Sequence, residues 1–428
     1  MKRKRREFLK LTGQAGLGIV GGSLLKDAAA ASFLDFKNNA SVSTAFNQMD
    51  TSIIGLYGPW AASLTENKLP SLSLRKKEWA NLEAWRKAAR NRTRERMAIP
   101  QLNGTPQVTV KKQYTYDGLH IEELSWQLPH GRATEAILLK PFDHKGRLPG
   151  VLAFHDHGGN KYFGTRKITR TSDEQHPMIP AHQQEYYQGK AWANELAKRG
   201  YVVLVPDAFT FGSRRVQLQD VPEFLRNGLN DNDPEQPQHI TAYNQWAGEH
   251  EHIMAKSLFS AGTTWPGVFF AEDQKALDVL CSRNDVDSNR VGCGGLSGGG
   301  IRTVYMAGLD PRIKCAVPVG FMTTWNDFLL NKSFTHTWMT YVPLLPKELD
   351  FPEILGLRAP LPALVLNNNE DTLFTLPEMK KADAILADVY KKAKGEDRYK
   401  CSFYPGPHKF DIAMQAEAFA WFDKWLKA

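Results

Sequence analysis

From Pro149 to the C-terminus the chain repeats one pattern, a short continuous apolar run followed by an amphipathic segment. The runs are "PGVLAFHDHGG", "YVVLVPDAF", "NRVGCGGLS", "IKCAVPVGF", "PALVLNNNED" and "KCSFYPGPH". The amphipathic segments include "AWANELAKRG", "AEDQKALDVLCSR", "GGGIRTVYMAGL", "PEMKKADAILADVYKKA" and "MQAEAFAWFDKWL". Strands that are apolar without alternation are buried on both faces, and alternating them with helices covers a parallel sheet on both sides. The pattern predicts a doubly wound, mostly parallel α/β sheet. Upstream, Gln107–Tyr116, Leu119–Gln127 and Ala133–Leu139 read as strands joined by short turns such as Tyr-Asp-Gly, which predicts an antiparallel edge. This places the main domain at residues 107–428.

Two segments stand outside the rhythm. Residues 32–106 read as a helical leader, in which Leu74–Met97 carries Trp79, Leu82 and Trp85 on one face at helical spacing. That face is expected to dock on the main domain. Residues 212–264, with "GLNDNDPEQPQH" and "GEHEHIMAKSLFSAGTTW", form a long insertion between a strand and the next helix, expected as a lid or substrate-recognition element.

The formal net charge of +8 is concentrated at the N-terminus. Residues 1–31 carry seven Lys or Arg against Glu7 and Asp27, so the rest of the chain is close to balanced and gives no nucleic-acid signal. "KRKRREFLK", a Gly-rich apolar stretch and "DAAAAS" have the layout of an export signal, and Arg5-Arg6 in "RREFLK" is similar to the twin-arginine type. The expectation is export to the periplasm with cleavage near Ala30 or Ala31, and membrane association only if the segment stays uncleaved. The apolar stretch is shorter than the ~20 residues of a spanning helix. Cys281, Cys293, Cys315 and Cys401 are widely spaced without a CxxC; the last three lie in or beside predicted core strands and read as buried free thiols.

"VGCGGLSGGGIR" packs six glycines around Ser297. Within it Gly295-Leu296-Ser297-Gly298-Gly299 matches G-x-S-x-G between a predicted strand and a predicted helix. In that turn the serine is exposed in a strained conformation and glycines keep its surroundings bare. No Lys follows to complete a phosphate loop, and Ser297 occupies the third glycine position of a dinucleotide fingerprint. A serine nucleophile needs a base and an acid to orient it, in chain order Ser, Asp or Glu, His. His336 and His408 alone follow Ser297; His408, in "YPGPHKFD" after the last strand, is the expected base, and His336 a pocket residue. "NNNEDTLF" offers Glu370 and Asp371 as the acid; Asp371 is preferred and Glu370 stays open. The oxyanion hole is expected from the backbone N–H of Gly298 and from His157, Gly158 or Gly159 in "HDHGG". "HDH" and "EHEH" also invite a metal reading, but neither HExxH nor HxHxDH occurs and no metal or other cofactor is expected.

On the residues "FHDHGGNKYFG", "PDAFTFGSRR", "VGCGGLSGGGIRT", "HTWMTYVPLLPKELDFPE" and "FYPGPHKFDIAMQAEAF", most of 108–428 resembles the exported α/β-hydrolases grouped with acetyl xylan esterases and dienelactone-hydrolase-like proteins. The pectin methylesterase-type bacterial carbohydrate esterases look nearest. The resemblance implies the α/β-hydrolase fold, a Ser297–Asp371–His408 triad and a carbohydrate ester substrate, either an acetyl ester or a uronate methyl ester. Trp265, Arg302, His336, Lys161, Arg214 and Arg215 are then candidates for substrate contact, the basic ones as a rim for an anionic uronate. The chain departs from dienelactone hydrolases, whose nucleophile is cysteine, and from glucuronoyl esterases, where Arg follows the serine; here Gly298 does. The competing expectations are a serine peptidase on the same fold and a non-catalytic binding protein.

Overall fold

Among the described residues nine strands form one mixed sheet, antiparallel toward one edge and parallel through the rest. The computed structural model describes residues 52–65, 68–232 and 235–427, so the export-signal reading and residues 32–51 of the leader lie outside the described residues. The strands are β1 (Thr109–Tyr116), β2 (Leu119–Trp126), β3 (Thr134–Pro141), β4 (Leu148–Phe154), β5 (Val202–Pro206), β6 (Val286–Leu296), β7 (Ile313–Val319), β8 (Ala363–Asn368) and β9 (Tyr399–Tyr404), and they lie in the order β1-β2-β3-β5-β4-β6-β7-β8-β9. β1, β2 and β3 pair antiparallel, as does β3 with β5, and every pair from β5 through β9 is parallel. The apolar runs of the sequence are these parallel strands, and alternate residues feed opposite faces. Leu152 and Phe154 of β4 enter one core, Val151 and Ala153 the other.

The first core is covered by helices Trp265–Cys281, Gly298–Leu309 and Leu376–Lys392, and the second by Trp192–Lys198 and Ile412–Leu426. A helix at Met178–Tyr187, not anticipated from the sequence, joins the second face. All four cysteines are free thiols; Cys293 and Cys315 are buried, whereas Cys281 and Cys401 are half-buried.

The leader segment differs from expectation in how it docks. Its helix begins at Leu82, where the Asn81 side chain accepts the Ala84 N–H at 2.9 Å, so Trp79 lies outside it. Trp85 is buried as expected and donates to the Leu72 carbonyl at 2.6 Å. Part of its charged face turns inward. Arg86, Arg90 and Arg94, four residues apart, donate to the carbonyls of Leu357 (3.1 Å), Gly308 (2.8 Å) and Leu309 (3.0 Å). These carbonyls end helices Phe351–Gly356 and Gly298–Leu309, where four acceptors lack intrahelical partners and the helix dipole favours cations. The insertion also differs from an irregular loop. Most of its second half is one 24-residue helix, Pro237–Ser260.

Candidate active site

β4 and β6 are neighbours, and the connection after β4 runs to β5 on one side while that after β6 runs to β7 on the other. Such a switch point opens a crevice at the carboxyl ends of the strands. The loop after β4 carries "HDHGG" and the turn after β6 carries Ser297.

Ser297 has φ 57° and ψ −114°, a positive-φ conformation that costs a non-glycine residue about 1–3 kcal/mol. It is held there by its own N–H, which donates to the Val319 carbonyl at 2.8 Å, and by the helix that starts at Gly298. The flanking glycines answer to packing. A Cβ on Gly295 would sit 2.3 Å from the Phe154 carbonyl oxygen, and one on Gly299 2.4 Å from the same atom. The end of β4 therefore lies directly against the turn, which is how the two loops come together.

His408 is carried by the turn after β9, with its ring over Gly320, where a Cβ would stand 2.8 Å from Cε1. The same point is 3.0 Å from Leu296 Cδ1, so the imidazole sits beside the Ser297 turn. Nδ1 is 2.6 Å from Asp371 Oδ2, and Asp371 Oδ1 accepts the Leu373 N–H at 2.9 Å. Nε2 is buried and has no hydrogen-bond partner among the described residues. Burial lowers the imidazole pKa, but the Asp371 charge and hydrogen bond outweigh it, and the net shift is upward. Of the two acids left open, Asp371 meets the histidine; Glu370 accepts the Gly406 N–H at 3.1 Å.

The "HDHGG" loop approaches the start of helix Gly298–Leu309 so closely that a Cβ on Gly298 would lie 2.9 Å from the His157 backbone nitrogen. Neither the His157 nor the Gly298 N–H is used in a hydrogen bond among the described residues. Gly159 is corrected as a donor candidate, since its N–H is taken by His157 Nδ1 at 3.1 Å. That bond puts the proton on Nε2, which donates to Glu251 at 2.8 Å. His155 is engaged as well, its Nε2 accepting the Ala208 N–H at 3.2 Å, so both histidines of "HDH" are committed within the protein.

Behind the loop lies a cluster that sequence reasoning missed. Lys167, fully buried, donates to the carbonyls of Asp156 (2.7 Å) and His157 (3.0 Å) and stands 3.7 Å from the Asp156 carboxylate. Asp156 also accepts from His182 at 3.1 Å and from the Tyr187 hydroxyl. No spacing rule marks Lys167, and His182 and Tyr187 sit on the unanticipated helix. Glu251 was visible in "EHEH" but only as a metal candidate. It is a structural acceptor, taking His157, Lys161 (2.7 Å), Thr337 Oγ1 (2.6 Å) and the Trp338 N–H (3.1 Å).

The expected basic rim is largely absent. Arg302 is buried in a two-pronged pair with Asp273 (2.9 and 2.6 Å) and stacks on Phe154 at 4.2 Å. Arg214 is buried against Glu272. Lys161 is buried against Glu251, with its ammonium 4.5 Å from the centre of the Trp265 ring, itself buried. A long cationic side chain reaching inward costs too much unless paired, and each of these three is paired. Arg215 alone of the basic candidates is half-buried, its guanidinium 4.4 Å over Tyr162. His336 packs among Phe321, Phe328 and Phe374, with Nε2 2.8 Å from the Leu373 carbonyl and a pKa lowered by burial to about 4. Lys161, Trp246, His250, Glu251, Met254 and Trp265 line a narrow pocket under the insertion helix.

Comparisons agree with this architecture. Residues 260–354 match the model of the prolyl oligopeptidase family. The Bacillus subtilis protein YtaP, whose name places it among hydrolases without stating a substrate, is 26% identical over 307 residues, 72% of this chain and 88% of that protein. A Bacteroides fragilis structure assigned as an acetyl xylan esterase superposes with a TM-score of 0.60 at 17% identity, covering 84% of each chain. The methylesterase BT1017 gives 0.51 at 19% identity over 80% of this chain and 64% of that one. A glucuronoyl esterase from Solibacter usitatus gives 0.54 at 14% identity over 83% and 97%. At these identities the likeness shows the fold, and the fold is that of the α/β-hydrolases.

Proposed function

We propose that this chain, an α/β-hydrolase by fold, is a serine-dependent carboxylic ester hydrolase acting on carbohydrate esters. One observation carries the reading. His408 is bonded through Nδ1 to the buried Asp371, its Nε2 is buried without a partner, and its ring lies beside the strained Ser297 turn. A base so oriented can take one proton and return it.

In the proposed reaction Ser297 Oγ attacks the ester carbonyl carbon as His408 Nε2 takes the hydroxyl proton. The negative oxygen faces the N–H groups of His157 and Gly298. Collapse breaks the bond to the leaving alkoxide, which receives that proton. Water, deprotonated by His408, then attacks the acyl-enzyme; the acid departs and Ser297 regains its proton. Asp371 holds the imidazole in the tautomer that leaves Nε2 free and stabilises its charged form.

The likeness to esterases and the half-exposed Trp338 above Glu251 support a sugar ester, acetyl or uronate methyl. Export to the periplasm, a polysaccharide substrate and lack of a nucleic-acid partner belong to the same proposal. The test is release of acetate from acetylated xylan and of methanol from methylated pectin, by wild type and Ser297→Ala. Product lost with the mutation supports the reading and names the ester; product that survives it refutes the serine mechanism. The match to the prolyl oligopeptidase family favours a second reading, a peptidase. Cleavage of proline-containing peptides with no ester turnover would establish that instead.

A further inference from the structure

The peptide planes of the "HDHGG" loop must be turned in one direction for its N–H groups to face Ser297. In a trans peptide the N–H points opposite the carbonyl of the same unit. The carbonyls of Asp156 and His157 belong to the units whose N–H groups are those of His157 and Gly158. Both carbonyls point to the Lys167 ammonium, at 2.7 and 3.0 Å. The opposite side of the first unit is the side where the His157 nitrogen meets Gly298.

We propose that Lys167 is a positioning residue for the oxyanion hole, its buried ammonium holding two successive peptides so that the His157 N–H faces the substrate oxygen beside that of Gly298. This rests on the serine hydrolase reading above. The arrangement has the marks of a built device. Lys167 is fully buried, and the Asp156 carboxylate that balances its charge is itself anchored by His182 and Tyr187. Asp156 thus supplies both a carbonyl and the counter-charge. A cation bonded to the carbonyl end also polarises each peptide and makes its N–H a stronger donor to a developing negative charge. Lys167 shares each carbonyl with one other donor, His155 Nδ1 at 3.0 Å on that of Asp156 and the Asn160 N–H at 3.0 Å on that of His157, and among the described residues it is the one group that bonds both; Gly158 and Gly159 both have positive φ, conformations glycine enters with little cost.

The ammonium pKa is lowered to about 8, by burial against the pull of Asp156 and Asp207. His155, His157 and Lys161 are the other titratable groups coupled to it, and His182 and Tyr187 reach it through Asp156. Loss of the proton leaves a neutral amine with a weakened hold on the two carbonyls.

The experiment compares wild type, Lys167→Met, Lys167→Gln and Ser297→Ala on p-nitrophenyl acetate, with a trifluoromethyl ketone as a probe that forms a tetrahedral adduct on the serine. For a folded Lys167→Met variant kcat is expected to fall by about 10²-fold or more with KM little changed, the size of losing an oxyanion donor. Affinity for the ketone should fall in step, and Lys167→Gln, which keeps a donor, should lose less. A folded Met variant that retains kcat and ketone affinity within about threefold overturns the proposal. If neither variant folds, the wild-type profile decides: kcat falling as pH rises past about 8 supports the positioning role, and a flat profile through pH 9.5 refutes it. Turnover that survives Ser297→Ala refutes the underlying mechanism instead, which separates the two failures.

Discussion

Glu251→Gln preserves the shape of the side chain and removes its charge. In the native protein the Glu251 carboxylate accepts four hydrogen bonds, from His157, Lys161, Thr337 and Trp338. A glutamine has one carbonyl oxygen for these donors and turns an NH₂ toward the rest, donor against donor. Lys161 is left charged and buried, and removing one partner of a buried pair costs about 3–5 kcal/mol. In a chain of 428 residues, at an unfolding entropy of about 2 cal/mol/K per residue, that lowers Tm by about 3–6 °C. Activity should fall further than stability, because Glu251 joins the insertion helix to the His157 loop. A displacement of about 1 Å in a positioned group can cost about 10²-fold in rate. Differential scanning fluorimetry and p-nitrophenyl acetate kinetics at a temperature where the variant stays folded read the two effects. Burial opposes ionisation of Glu251, yet the Lys161 charge and the His157 hydrogen bond prevail and hold its pKa well below the usual carboxylate range. Its contribution is therefore complete above the unfolded value near 4.5 and is lost only as pH falls well below it. The stability deficit of the Gln variant should accordingly be the same at pH 6 and pH 8. An unchanged Tm together with unchanged kcat would refute the account of Glu251 as the tie between the two elements.

Four further outcomes follow from the site. Asp371→Asn should lower kcat by about 10⁴-fold without unfolding the protein, since the amide favours the wrong imidazole tautomer; kinetics with circular dichroism check it. Because the His408 pKa is raised, kcat/KM should climb only as pH passes above 6.5, and the Asn variant, lacking the charge, should shift that limb to lower pH. Arg302→Met should destabilise by about 3–5 kcal/mol while leaving KM unchanged, because Arg302 serves Asp273 and not substrate; a raised KM without a fall in Tm would reverse that correction. Trp338→Ala should raise KM for a polysaccharide ester and spare p-nitrophenyl acetate, as expected if the half-exposed indole carries a sugar ring; equal effects on both substrates would remove Trp338 from the binding surface.

The parallel strands, the Ser297 turn and the order Ser, Asp, His were legible because each rests on local rules. Hydrophobic period separates strand from helix within a few residues, and the strained turn needs its glycines at fixed offsets from the serine. His408 could be chosen over His336 because it follows the last strand, and it is the histidine that meets Asp371. The leader helix was legible as a docking element through Trp85, but its arginines were not legible as caps, since the carbonyls they reach belong to residues more than 200 positions away. Cationic residues were the least readable class. Arg302, Arg214 and Lys161 look like a rim for an anion in a linear chain, and each proves to be neutralised by a carboxylate from a different element. Lys167 carries no sequence signature at all, yet it lies directly behind the peptide that faces Gly298. By itself the sequence determined the sheet, the turn and the candidate triad, because backbone conformation and periodic burial are encoded over short stretches. Only the tertiary structure decided which charges are spent inside the protein, because pairing in a low-dielectric interior depends on which distant segments are brought within a few ångströms.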